Sequence, residues 1–101
     1  MTLFICATCT PDSMGFIAQA RDALPTLDIT PVDCMSGCAR AQTVAFRDTG
    51  KTAYLFGEIT PADFPELETF SALYAASPDG TFPDARALGS LRFKAIARIP
   101  A

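Results

Sequence analysis

At 101 residues, 50% apolar and 19% charged, the chain holds material for one hydrophobic core, so a single domain over residues 1–101 is expected. Eleven acids against eight bases give a formal net charge of −3, which excludes the basic footprint of a nucleic-acid binder and suits a basic partner surface. No apolar run approaches membrane-spanning length, and the absence of histidine removes the commonest acid–base catalyst.

Thr2 to Cys6 is an apolar, partly β-branched run of strand length. With no cationic leader it reads as a strand and not a signal peptide, which makes the reducing cytoplasm the expected compartment. Cys6-Ala-Thr-Cys9 follows. Thr10-Pro11-Asp12-Ser13 then supplies turn and N-cap chemistry, and Phe16, Ile17, Ala20 and Leu24 recur at helical spacing until Pro25 ends the run. Leu27 to Asp33 predicts a second strand, with Leu27 and Ile29 on one face and Pro31 marking an edge or a bulge. It delivers Cys34-Met-Ser-Gly-Cys38. Thr43 to Arg47 and Thr52 to Phe56 are β-rich runs joined by Asp48-Thr49-Gly50-Lys51, the length and composition of an antiparallel hairpin. A second helix is expected to start with Asp63 as its cap. That leaves Pro65 in the tolerant first turn, puts Glu66 where a capping box needs it, and aligns Leu67, Phe70 and Tyr74 as a buried stripe. Asp79-Gly80 closes the segment. From Leu91 to Ile99, Leu91, Phe93, Ala95, Ala97 and Ile99 alternate with a side carrying Arg92, Lys94 and Arg98, the pattern of a late strand or extended arm.

The fold class is therefore α/β, with β-α-β followed by β-β-α and a mixed sheet. A right-handed crossover makes the first two strands parallel, so their carboxyl ends emerge at one edge, about 5 Å apart if they are neighbours. Cys6 leaves one strand and Cys34 the other, so both cysteine pairs are expected at a common rim. The first helix points its amino end at the same rim, where its dipole favours thiolate over thiol.

Four cysteines in two tight pairs make one complete set of soft ligands. A 2Fe–2S cluster needs four thiolates, two for each iron, and Cys6, Cys9, Cys34 and Cys38 supply two chelating pairs separated by small residues, Ala7, Ser36 and Gly37. Zinc, as a structural or metal-delivery centre, would accept the same four sulfurs, although a chain with this much core has little need of a metal to fold. Dithiol–disulfide exchange fits Cys6 and Cys9 between a strand and a helix, but leaves Cys34 and Cys38 without a role. Buried thiols with no chemistry are the blandest alternative.

Val32-Asp33-Cys34-Met35-Ser36-Gly37-Cys38-Ala39-Arg40-Ala41-Gln42-Thr43-Val44-Ala45-Phe46, with Tyr54-Leu55-Phe56-Gly57 and the closing Ala97-Arg98-Ile99-Pro100, resembles a small bacterial family of predicted metal-binding proteins. More broadly, a C-x3-C after the second strand followed by a hairpin and a helix resembles the thioredoxin-like 2Fe–2S ferredoxins. These resemblances imply a thioredoxin-like β-α-β-β-β-α domain with a cluster at Cys6, Cys9, Cys34 and Cys38. The association of that bacterial family with cobalamin-related genes implies electron supply to corrin metabolism. The first pair departs from the ferredoxin pattern, because its cysteines are closer together than in typical members.

Other features have plainer readings. Arg40 could offset the charge of a cluster, yet a loop arginine is ordinarily solvated. Met35 and the aromatic residues Phe46, Tyr54 and Phe56 are expected to pack, the aromatics as cross-strand pairs in the core. Arg92, Lys94 and Arg98 suit an acidic partner or simply protect an edge strand. Asp12, Asp33 and Asp48 read as turn or cap residues. No phosphate loop or nucleophile–base pair is visible, so the chain reads as an electron carrier and not an enzyme. Its expected partners are redox proteins, a reductase and a client, with no nucleic acid and no membrane; monomer and homodimer are both left open.

Overall fold

Alternation along the central strands decides which way the sheet faces. The computed structural model describes residues 1–8, 12–33, 41–82 and 85–100, with backbone alone at 85–87. Its elements are β1 (Thr2–Cys6), α1 (Ser13–Ala23), β2 (Asp28–Val32), β3 (Val44–Arg47), β4 (Ala53–Phe56), α2 (Phe64–Ala76) and β5 (Ala95–Ile99). The expected β-α-β-β-β-α order is present, with β5 appended. The sheet runs β2-β1-β3-β4-β5. β1 and β2 are parallel, and every other neighbouring pair is antiparallel. A mixed sheet results, with the parallel pair at one side, as crossover handedness requires.

Leu3 and Ile5 of β1, Val44 and Phe46 of β3, and Tyr54 and Phe56 of β4 point to one face and are buried. There they share a core with Phe16, Ile17 and Ala20 of α1 and with Leu67, Phe70 and Tyr74 of α2. The 3.6-residue period of those helix positions is what puts them on one stripe. Phe70 lies at the centre, with its ring 4.7 Å from Phe46 and 5.3 Å from both Tyr54 and Phe56. Phe16 meets Phe64 at 5.4 Å, which ties α1 to the start of α2. The opposite face of the sheet carries the half-exposed Thr2, Phe4, Ala45, Ala53, Leu55 and Ala97. Glycine is favoured where φ is positive. Gly50 takes a φ of +75° in the hairpin loop, and Gly80 takes the same φ where a Cβ would lie 3.0 Å from the Thr52 nitrogen.

Two segments differ from expectation. α2 does begin after Asp63 with Pro65 in its first turn, but Asp63 itself has helical dihedrals and no side-chain cap bond. A 3₁₀ turn over Pro61–Asp63 precedes the helix, so the capping box closes one turn early: the Thr60 N–H donates to Asp63 Oδ2 at 2.8 Å. Glu66 reaches away from the cap and accepts a bond from Ser90 Oγ at 2.6 Å. Burial pushes the Asp63 carboxyl up, but Lys94, 2.6 Å away, and the Thr60 donors more than offset it and hold the group below the ordinary aspartate value.

The tail also departs from simple alternation. Leu91 is fully buried in the second of two 3₁₀ turns that Ala85–Phe93 forms on either side of a non-helical Gly89, whereas Phe93 is 70% exposed and Ile99 57% exposed. Lys94 explains the break: its N–H closes a turn onto the Leu91 carbonyl, and its ammonium pairs with Asp63, so the strand starts only at Ala95. A register shift between Leu55 and Phe56 then displaces β5 again. Among the described residues no helix is long and apolar enough to cross a membrane.

Candidate metal centre

Parallel pairing sets the position of the first cysteine. Cys6 stands opposite Val32 in the β1–β2 register, and the next N–H, that of Ala7, donates to the Val32 carbonyl at 2.7 Å. On the other side the Cys6 N–H donates to the Thr43 carbonyl at 3.1 Å. The backbone at Cys6 is thus held from both neighbours, and the residue is 0% exposed. Its Sγ donates to the Asp33 carbonyl oxygen at 3.0 Å. The Thr8 hydroxyl donates to the same oxygen and lies 3.7 Å from the sulfur.

The carboxyl ends of β1 and β2 therefore meet at the sulfur of Cys6, and Asp33 is the residue that precedes Cys34 in the sequence. The expectations for Cys9, Cys34 and Cys38, and for Met35, Ser36, Gly37 and Arg40, lie outside the described residues. Among the described residues no three histidine, cysteine, aspartate or glutamate side chains converge on one point.

Beneath this edge lies a buried polar layer that periodicity and spacing did not reveal. Ser13, the first residue of α1, and Gln42 and Thr43, which lead into β3, are all buried. Gln42 Nε2 donates to the Cys6 carbonyl at 2.6 Å and to the Thr43 carbonyl at 3.3 Å, while Oε1 accepts from Ser13 Oγ at 2.8 Å. Glutamine and serine are ordinarily surface residues, so only their positions just beyond the cysteine segments hint at this role. The link through Ser13 also places the amino end of α1 at the same edge, where the partial positive charge of a helix start favours sulfur anions.

Cys6 meets the demands on a thiolate ligand: it is shielded from water, fixed on a strand end and close to a helix start. Ligation removes the S–H proton, so a metal–sulfur bond would replace the hydrogen bond to Asp33. Four cysteines and no histidine make an all-sulfur donor set, which iron–sulfur clusters use and zinc also accepts.

No curated protein sequence matches the chain. Among solved structures, a thioredoxin-like 2Fe-2S ferredoxin from Aquifex aeolicus aligns with a TM-score of 0.63 over 96% of this chain and 90% of that chain, at 17% identity. At that identity the likeness establishes the fold, and the domain is thioredoxin-like. A family model matches residues 14–101, a span that includes Cys34 and Cys38 and begins after Cys6 and Cys9. On that match the chain belongs to the family described as "Protein of unknown function (DUF1636)".

Proposed function

We propose that the protein is a one-electron carrier in which Cys6, Cys9, Cys34 and Cys38 hold a 2Fe–2S cluster at the carboxyl edge of β1 and β2. The observation that carries this reading is the 3.0 Å contact between Cys6 Sγ and the Asp33 carbonyl, which joins the strand ends that lead into the two cysteine pairs. The thioredoxin-like fold shared with a 2Fe-2S ferredoxin supports it. Bound there, the cluster supplies reversible one-electron acceptance and donation.

The chain's own residues hold and shield the group. β1 ends at Cys6 and β2 just before Asp33, Gln42 links the first residue of α1 to the Cys6 carbonyl, and the core beneath excludes water from Cys6. Without a histidine or a nucleophile–base pair, the protein passes electrons between partner proteins, a reductase and a client, in a reducing compartment. Corrin metabolism is the pathway that the sequence resemblance implies for that client. The net charge of −3 favours basic docking faces, with an association rate that falls as salt rises.

The test is ligand by ligand. Purified without oxygen, the wild-type protein is expected to contain iron and acid-labile sulfide in equal amounts, and Cys34→Ser or Cys38→Ser to lose both. Iron content unchanged in either variant would remove that residue from the ligand set, and a colourless protein loaded with zinc would replace the carrier by a zinc module.

A further inference from the structure

Two segments carry the cysteines, and the residue that ends the second touches both ends of the first. The first segment leaves β1 at Cys6 and enters α1 at Ser13; the second leaves β2 at Asp33 and returns to the sheet at Gln42. Gln42 Nε2 holds the Cys6 carbonyl at 2.6 Å, and Gln42 Oε1 holds the Ser13 hydroxyl at 2.8 Å. The remaining end, Asp33, is joined to Cys6 through its sulfur at 3.0 Å. The Gln42 backbone is fixed separately, since its carbonyl accepts the Ile59 N–H at 3.1 Å from the segment that follows β4. The amide is therefore anchored to the sheet and not only to the loops it joins.

We propose that Gln42 is a positioning residue that holds together the ends of the two segments carrying the cysteines, an inference that rests on the four-cysteine centre proposed above. Its chemistry is specific. The site requires a donor towards two carbonyl oxygens and an acceptor towards a hydroxyl, from one neutral group in a buried place, and a primary amide supplies both. A carboxylate would face the Cys6 carbonyl with no proton to donate, and an apolar side chain would make none of the three bonds. Gln42 holds Cys6 through its backbone carbonyl and not through its sulfur. Groups of this kind behind a ligand typically change metal retention by roughly 10- to 100-fold.

The test compares Gln42→Met, which keeps side-chain length but makes neither bond, with Ser13→Ala, which removes only the hydroxyl. Ser71→Ala is the control, because it deletes a buried hydroxyl that donates to the Glu68 carbonyl within α2, away from the cysteines. In the metal-free, reduced full-length chain, alkylation of Cys6 is followed by peptide mass spectrometry. Gln42→Met is expected to accelerate it, Ser13→Ala to do so by less, and Ser71→Ala not at all. The iron-loaded proteins are expected to lose iron to a chelator in the same order. Wild-type alkylation rates in Gln42→Met, or equal acceleration in Ser71→Ala, would overturn the clamp. Should Gln42→Met not fold, Ser13→Ala decides, and a wild-type rate there counts equally against it. A wild-type chain that takes up no iron overturns the carrier reading alone, because the alkylation arm reads the clamp with no metal present.

Discussion

The aromatic region and the cysteine edge belong to one sheet but are held by different forces. Around Phe70, rings from β3, β4 and α2 meet at 4.7–5.7 Å and the binding is apolar contact. Around Cys6 the contacts are hydrogen bonds, to the buried Gln42 and through it to Ser13, and to the carbonyl of the exposed Asp33. Apolar packing is non-directional and stabilises roughly in proportion to the area buried, so the aromatic region secures the fold. Hydrogen bonds fix distance and direction, so the polar edge sets the geometry around Cys6 while contributing less to overall stability. Stability and the candidate site are therefore expected to respond separately to mutation.

The sharpest break in that comparison is Cys6→Ser. A serine hydroxyl can still donate to the Asp33 oxygen, so the urea midpoint is expected to stay near that of wild type, whereas bound iron is expected to disappear. Phe70→Ala should do the reverse. Truncating a fully buried ring is expected to cost about 3–5 kcal/mol in urea unfolding, with iron per folded molecule unchanged. An equal loss of iron per folded molecule would show that the two regions are coupled.

Smaller effects sharpen the contrast. Asp63 binds its proton less readily in the folded chain than the ordinary value of 3.8 implies, the Lys94 and Thr60 contacts outweighing burial. Its stabilisation is therefore present above that value and is lost as the pH falls through the lowered folded one. Asp63→Asn is expected to cost about 1–2 kcal/mol at neutral pH and to flatten the decline of the urea midpoint on acidification. Tyr74→Phe, which removes the buried hydroxyl bond to the Thr52 carbonyl at 2.6 Å, is expected to cost about 1 kcal/mol, with iron retention unchanged.

What could be read in the sequence followed from local pattern. The periods of Phe16, Ile17 and Ala20 and of Leu67, Phe70 and Tyr74 placed both helices, and alternation about Asp48-Thr49-Gly50-Lys51 placed the hairpin, because each depends on residues close in the chain. The parallel β1–β2 pair followed from the handedness of crossovers, and with it the edge at which Cys6 lies, while the place expected there for Cys34 is outside the described residues. Long-range polar contacts were not readable. Lys94 pairing with Asp63 across 31 positions shifted the start of β5, and Gln42 bonding Cys6 across 36 positions created the buried layer at the edge. Neither pair has a periodic signature, since each forms only after the sheet has brought distant segments together.

The central claim is that the cysteine edge holds a reducible iron–sulfur centre. Electron paramagnetic resonance of anaerobically purified wild-type protein, before and after dithionite, tests it most directly. The account predicts a silent oxidised sample and a signal from about one unpaired electron per cluster once reduced. A sample that stays silent after dithionite and contains no iron would contradict it.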